Sequence, residues 1–333
     1  MEDSPVLVLG HRGLLGRALV EACGGRCQVI EGGREAFDLA RTGRSRPLPP
    51  PGQDPPEAGQ AREALALVSR ELGGRGPAAA AVHAGLDLEG RAILSRAPRL
   101  VFNCAGYTDV DGAESRSELA MAVNAAGAQA VALACAEAGA HLVHISTDYV
   151  FDGKSGRPYR EDDPPAPLSA YGRSKLEGER LVRQTLPGCL IVRSAWLFGP
   201  GRSNFVEKVV AKGRLGEPFA VVADEVGSPT YAPDLAEAVL DLGRSWTGGV
   251  LHVVNQGQAS RLELARASLE LAGIDPGLIR PVTSAELGLA ASRPAYSVLE
   301  AGGAARLRGG PLPDWRDALR RYISRHLARK EQA

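Results

Sequence analysis

Short apolar runs alternate with longer stretches in which apolar positions recur every three or four residues, and this alternation governs the first 200 residues of the chain. Val6–Leu9, Gln28–Ile30, Leu100–Phe102, the run of Leu142, Val143 and Ile145, and Leu190–Val192 read as buried strands. Helical spacing follows the first run at Ala18, Leu19 and Ala22. It is longest over Glu118–Ala138, where Ala122, Val123, Ala126, Ala130, Leu133 and Ala134 form one apolar face. Further on, the pattern predicts helices over Asn204–Gly213, from a cap at Asp234 to Leu242, over Ser260–Ala272, and over Pro313–Leu327 with Trp315. Val250–Val254 reads as one more strand and Asp224–Tyr231 as a loop. Strands alternating with helices predict an α/β fold built on a doubly wound, Rossmann-like parallel sheet with a smaller carboxyl-terminal part. Residues 1–195 form the first domain and 196–333 the second, with one or more segments of the second returning to the first. Between about 43 and 98 the rhythm is lost. PLPPPGQDPPEAGQ excludes helix and central strand there, so a surface excursion is expected, with helical spacing resuming over Ala61–Leu72 and Asp87–Arg96.

The chemistry gathers between His141 and Lys175. Ser146, Thr147 and Asp148 stand at the carboxyl end of a predicted strand, where open α/β sheets bind ligands. Tyr171 and Lys175 are four residues apart, which a helix places on one face. A phenol is a poor acid or base near neutral pH unless its anion is stabilised, and a neighbouring ammonium does that. Near the start, a strand runs into Gly10-His-Arg-Gly13-Leu-Leu-Gly16 and then a helix. That context suits a pyrophosphate against backbone N–H groups at a helix start. The second strand ends in Glu31-Gly32-Gly33-Arg34: an acid there accepts ribose hydroxyls of NAD, and a guanidinium pairs with the 2'-phosphate of NADP. Arg12 is a second cation nearby, and NADPH is the expected cofactor, with NADH also usable. Asp38 and Leu39 are placed toward the adenine, with Asp87-Leu88 a rival. The third strand ends in Asn103-Cys-Ala105-Gly106-Tyr107-Thr108, small enough for a flat cofactor to approach. Asn124 inside the long helix is either solvated or a buried polar anchor. Trp196 stacks on a ring or packs in the core.

Composition narrows the partners. Lys plus Arg and Asp plus Glu are equal at 39 each, so no charge bias favours nucleic acid or an anionic membrane. The acidic start MEDSPVLVLG lacks the pattern of a signal peptide and no apolar run stands out as a membrane span, so a cytoplasmic protein is expected. Cys23, Cys27, Cys104, Cys135 and Cys189 show no metal-ligand spacing and read as reduced thiols.

GHRGLLG, NCAGYTDVDGAES, HISTDYVFDG, YGRSK, RSAWLFGPG, DEVGSPTYAPDLA and SRPAYSVL occur in the order and context of the extended short-chain dehydrogenases. Together they resemble the dTDP-4-dehydrorhamnose reductase family over nearly everything except residues 43–98. The resemblance implies an NAD(P)H-dependent reductase of a nucleotide-linked 4-keto sugar, with the carboxyl-terminal part binding the sugar. It implies that Tyr171 donates a proton, Thr147 polarises the same keto oxygen, and Lys175 holds the nicotinamide ribose and lowers the phenol's pKa. Asp148 and Trp196 then contact the substrate. Gly13, Leu14 and Leu15 meet the pyrophosphate, and Gly106, Tyr107 and Thr108 line the cofactor crevice. A homodimer is the assembly implied; the acidic magnesium site of some members finds no matching acid at Ala18 or Pro233, so no metal is expected. Two other functions compete: a noncatalytic subunit like the beta subunit of methionine adenosyltransferase, and a nucleotide-sugar epimerase or dehydratase. The presence of Thr147, Tyr171 and Lys175 together speaks against the first.

Overall fold

Six strands make one parallel sheet: β1 (Val6–Leu9), β2 (Val29–Gly32), β3 (Leu100–Asn103), β4 (His141–Thr147), β5 (Leu190–Ser194) and β6 (Gly249–His252). Their spatial order is β6-β5-β4-β3-β1-β2, and every neighbouring pair is parallel. The computed structural model describes residues 6–24, 29–32, 93, 98–245 and 247–327. Arg34, Asp38, Leu39, Cys27 and nearly all of the Pro-rich excursion lie outside the described residues.

The strands read as unbroken apolar runs because both faces of the sheet are covered. Leu7 and Leu9 point to one side, with Val101, Leu142 and Ile191. The helix Gly127–Ala138 closes that side through Ala128, Val131, Ala132 and Cys135. Val6 and Val8 point to the other side, with Phe102, Val143 and Val192, under the helices Leu14–Cys23 and Ala232–Arg244. The chain leaves β1 for β2 on one flank and then crosses to β3 on the other. The strand order therefore reverses between β1 and β3, and a crevice opens there beyond the carboxyl ends.

The long apolar helix is not continuous. An α-helix over Ser117–Met121 passes through a five-residue π segment, Ala122–Ala126, before resuming as Gly127–Ala138. The extra residue re-aims Asn124. By length and composition this run could cross a membrane, but 61% of its apolar window is buried inside the protein. It is a core helix.

The carboxyl-terminal part adds β6 and the helix Ala232–Arg244 to the main sheet and then builds a smaller lobe. There the helices Phe205–Arg214, Arg261–Leu271 and Trp315–Tyr322 surround three two-stranded pairs. Trp315, Tyr322, Phe198 and Tyr231 form its centre. Two expectations are corrected. The stretch Asp224–Tyr231 is not all loop, since Val226–Gly227 and Thr230–Tyr231 each pair as short strands. Asp234 does not cap its helix; the cap position is Tyr231. Asp234 instead accepts two bonds from Arg321 at 2.7 and 2.8 Å and one from Asn255 at 2.8 Å, tying the terminal helix to this one. Ser260 does cap its helix, in a reciprocal box with Glu263.

Candidate active site

Three strand ends meet at the crevice. Gly10 follows β1 with φ +72°, and a Cβ there would lie 2.6 Å from the backbone nitrogen of Ala105 and 2.8 Å from the carbonyl carbon of Cys104. Glycine is thus required where the ends of β1 and β3 touch. Gly13 stands before the first helix in extended conformation and no side chain caps that helix. The first N–H groups of a helix have no partner within it, so this end can receive a phosphate. Leu15 and Gly16 are buried, and a Cβ on Gly16 would meet the carbonyl oxygen of Gly10. Their side of the motif packs helix on strand, and what Leu14, Leu15 and Gly16 can offer a ligand is backbone. The exposed Arg12 gives its carbonyl to Arg17 Nε at 3.2 Å. Glu31 lies in β2, paired with Val8. These features fit a dinucleotide: a turn with glycine at Gly10 and Gly13, an open helix start and a crevice at the point of strand reversal.

Beyond β3, Ala105 N–H donates to Asn103 Oδ1 at 3.2 Å, and the loop then passes Gly106, Tyr107 and Thr108. Asn124 holds this loop. Its Oδ1 accepts from Tyr107 N–H at 2.8 Å, while its Nδ2 donates to Tyr107 O at 3.0 Å and to Ser174 Oγ at 2.9 Å. Asn124 is therefore a buried anchor joining the cofactor-side loop to the next helix.

That helix, Ala170–Thr185, is capped by Ser169 and carries Tyr171 and Lys175. It packs against the turn that follows β4 and against the π segment of the core helix because Gly172 and Gly178 permit close approach, the first to Tyr149 O and the second to Asn124 O. Lys175 is 5% exposed and donates to Ile145 O at 2.6 Å. Burial brings its ammonium down to about 8, with Glu179 acting the other way. Tyr171 meets Tyr149 edge to face at 5.9 Å. Its phenol is held above the ordinary range, by burial first, with a hydrogen bond to Thr147 opposing. In this geometry burial outweighs any lowering by Lys175, contrary to the reading from spacing alone.

Thr147 ends β4 and donates to Asp148 Oδ1 at 3.0 Å while accepting from Tyr149 N–H at 3.2 Å. Asp148, 2% exposed, also accepts from Ser297 Oγ at 2.6 Å. Burial pushes its carboxyl up to about 6, against the hydrogen bonds of Ser297 and Thr147. Ser297 comes from 149 residues away. Nothing local in SRPAYSVL marks that serine as Asp148's partner.

The small lobe closes the far wall. Trp196 has φ +46°, the one positive φ at a non-glycine among the described residues. Its indole sits against Gly227, and the Arg261 guanidinium lies 3.6 Å from its ring centre. Trp196 is therefore half-buried, packed against two apolar clusters and stacked by Arg261. Arg293 makes two bonds to Asp111, at 3.1 and 2.7 Å, and Ala291 N–H donates to the same carboxylate at 3.0 Å. Both the Asp111–Arg293 clamp and the Arg261 stack were invisible as pairs in the sequence, since each joins segments far apart in the chain. Among the described residues no cluster of three His, Cys, Asp or Glu side chains is placed to hold a metal.

A family profile described as the RmlD substrate binding domain matches residues 78–328. The chain is 44% identical over 268 residues to a dTDP-4-dehydrorhamnose reductase of Mycobacterium tuberculosis, covering 79% of this chain and 84% of that protein. It belongs to the dTDP-4-dehydrorhamnose reductase family. It is also 43% identical over 242 residues, 71% of this chain and 81% of the relative, to a probable dTDP-4,6-dihydroxy-2-methyloxan-3-one 4-ketoreductase of Streptomyces antibioticus. The solved dTDP-4-dehydrorhamnose reductase of Bacillus anthracis, in complex with NADP, superimposes with a TM-score of 0.78 at 31% identity, covering 97% of this chain and 99% of that one. The parallel sheet with its reversal at β1 and β3 is thus the Rossmann-like fold of these reductases.

Proposed function

We propose that this protein reduces the 4-keto group of a dTDP-linked 6-deoxy sugar, most directly dTDP-4-dehydro-L-rhamnose, with NADPH as the reductant and Tyr171 as the proton donor. The observation that carries this reading is the meeting of Thr147, Tyr171 and Lys175 at the end of β4, beside a crevice built for a dinucleotide. NADPH, when bound, supplies the hydride. The chain's own residues supply the proton and the field. A phenol held above its ordinary range is fully protonated at neutral pH, which is the state a proton donor needs. Its proton passes to the keto oxygen as the alcohol forms, and the buried Lys175 ammonium stabilises the phenolate left behind. Thr147, at the same strand end, donates toward the developing alkoxide once its proton is no longer committed to Asp148. Gly10, Gly13 and the helix start would hold the pyrophosphate, and Ala105, Gly106, Tyr107 and Thr108 would line the crevice; Glu31, Arg34, Asp38 and Leu39 are assigned to the adenosine from the sequence. Asp148 and Trp196 bind the sugar.

Among the described residues Cys104, Cys135 and Cys189 are thiols outside any disulfide, which supports a reducing compartment, and we take it to be the cytoplasm. A homodimer is the proposed assembly. The test is oxidation of NADPH against dTDP-4-dehydro-L-rhamnose and related 4-keto sugars. Turnover is expected in wild type, and Tyr171→Phe should lower kcat by about 10² to 10⁴ while NADPH still binds. Wild-type turnover in that variant removes Tyr171 as the proton donor, whereas no turnover in either protein removes the reading and favours a noncatalytic subunit.

A further inference from the structure

Below Lys175, one turn further along the same helical face, lies Glu179. It is 3% exposed. Its carboxylate is enclosed by partners from two strands. Arg193, at the end of β5 and 4% exposed, donates Nε to Oε1 and Oε2 at 3.0 and 3.2 Å and Nη2 to Oε2 at 2.7 Å. Ser146, in β4, donates its hydroxyl to Oε1. Ser146 directly follows Ile145, whose carbonyl receives the Lys175 ammonium. One short piece of β4 therefore fixes Lys175 with one residue and Glu179 with the next. A buried ion pair seldom adds stability over apolar packing, so this one calls for another role.

We infer that Glu179 is a positioning residue that keeps the Lys175 ammonium charged and aimed at the end of β4, with Arg193 and Ser146 holding the carboxylate in place. The inference rests on the proposed role of Lys175 in the reduction. The other groups facing Lys175 do little to keep it charged. His144 on β4 is buried and neutral, and Cys104 after β3 is held up to about 12, so neither carries charge near neutral pH. Tyr171, on Lys175's own helix, is likewise protonated. Arg193 on β5 would, without Glu179, act as a like charge. Glu179 is the one anion among them, and it opposes the burial that brings Lys175 down to about 8.

The pair makes two opposite predictions. In Glu179→Gln the Lys175 titration should fall by about one pH unit or more, and the loss of activity at high pH should begin correspondingly earlier. In Arg193→Gln both should move upward. The chain has five lysines, Lys154, Lys175, Lys208, Lys212 and Lys330. Full-length protein carrying ε-13C-lysine therefore gives a simple NMR titration, with Lys175 assigned by its loss in Lys175→Arg. That readout needs neither cofactor nor turnover. The double variant Glu179→Gln/Arg193→Gln removes both members of the ion pair, so neither is left buried without the other, and it stands in should a single variant fail to fold; its Lys175 midpoint should fall, by less than in Glu179→Gln. Glu179→Asp should stay near wild type. A Lys175 midpoint unchanged from wild type in both Glu179→Gln and the double variant overturns the inference, as does movement in the same direction in the two single variants. If the midpoint moves as expected while no dTDP-4-keto sugar is turned over by any form, the pair's role stands and the proposed reduction falls.

Discussion

Asp148 carries a tension between folding and binding. Its carboxyl holds a proton more tightly when folded, at about 6, than the ordinary 3.8 of an exposed aspartate. The folded state therefore gains from protonation below pH 4, and that gain is lost as the pH rises through 6. Above pH 6 the protein retains a buried carboxylate at a cost of about 3 kcal/mol at most. Asp148→Asn keeps hydrogen-bonding capacity toward Ser297 and Thr147 without the charge. It should raise the melting temperature at pH 8, leave it nearly unchanged at pH 4, and raise KM for the sugar; calorimetry at the two pH values and steady-state kinetics read all three. At the cofactor's other end, Arg34→Ala should reduce the ratio of kcat/KM for NADPH over NADH by about 10- to 100-fold, since a charge-assisted hydrogen bond contributes roughly 1.5 to 3 kcal/mol. An unchanged ratio would assign the preference to another residue. Tyr171, Lys175 and Thr147 were legible because a four-residue spacing and a strand end are local patterns. Ser297, Glu179 and Arg193 were not, because their meaning lies in partners that only the folded chain supplies.

The catalytic helix and the interrupted core helix are paired through glycine. Apolar spacing showed both helices in the sequence, but a π segment has no apolar signature, and a single continuous helix fitted Glu118–Ala138 equally well. What the interruption achieves is the aim of Asn124 at the Tyr107 loop and at Ser174. Gly178 lies directly over the Asn124 carbonyl, where a Cβ cannot fit. Gly178→Ala should therefore force the helices apart, at about 1 to 3 kcal/mol of stability. Because Ser174 and Tyr107 move with Asn124, kcat should fall as well, more than KM rises. Urea denaturation and kinetics on the same preparation test the two effects together; a destabilised protein with full kcat would show that this contact serves packing alone.

For the molecule as a whole, the strand pattern disclosed the parallel sheet, but the order of its strands came only with the fold. β6, from the later half of the chain, lies beside β5, and the helix Ala232–Arg244 covers the sheet face beneath Val8 and Phe102. A chain ending at residue 195 would expose both. Expressed alone, residues 1–195 should be insoluble or lack a cooperative melt, whereas the full chain should melt in one transition; a soluble, cooperatively folding fragment would show that the first half is self-sufficient.

The placement of β6 also sets a timetable for synthesis. The ribosome finishes β5 at Ser194 and does not begin β6 until Gly249, so 54 residues are made in between. At about 5 to 20 residues per second that is roughly 3 to 10 seconds. Throughout it, Leu190, Ile191 and Val192 sit in a strand with one edge unpaired, the kind of surface that recruits strands from neighbouring nascent chains. Crowding on a polysome, rather than any weakness of the finished enzyme, would then govern how much of it a cell can make at once.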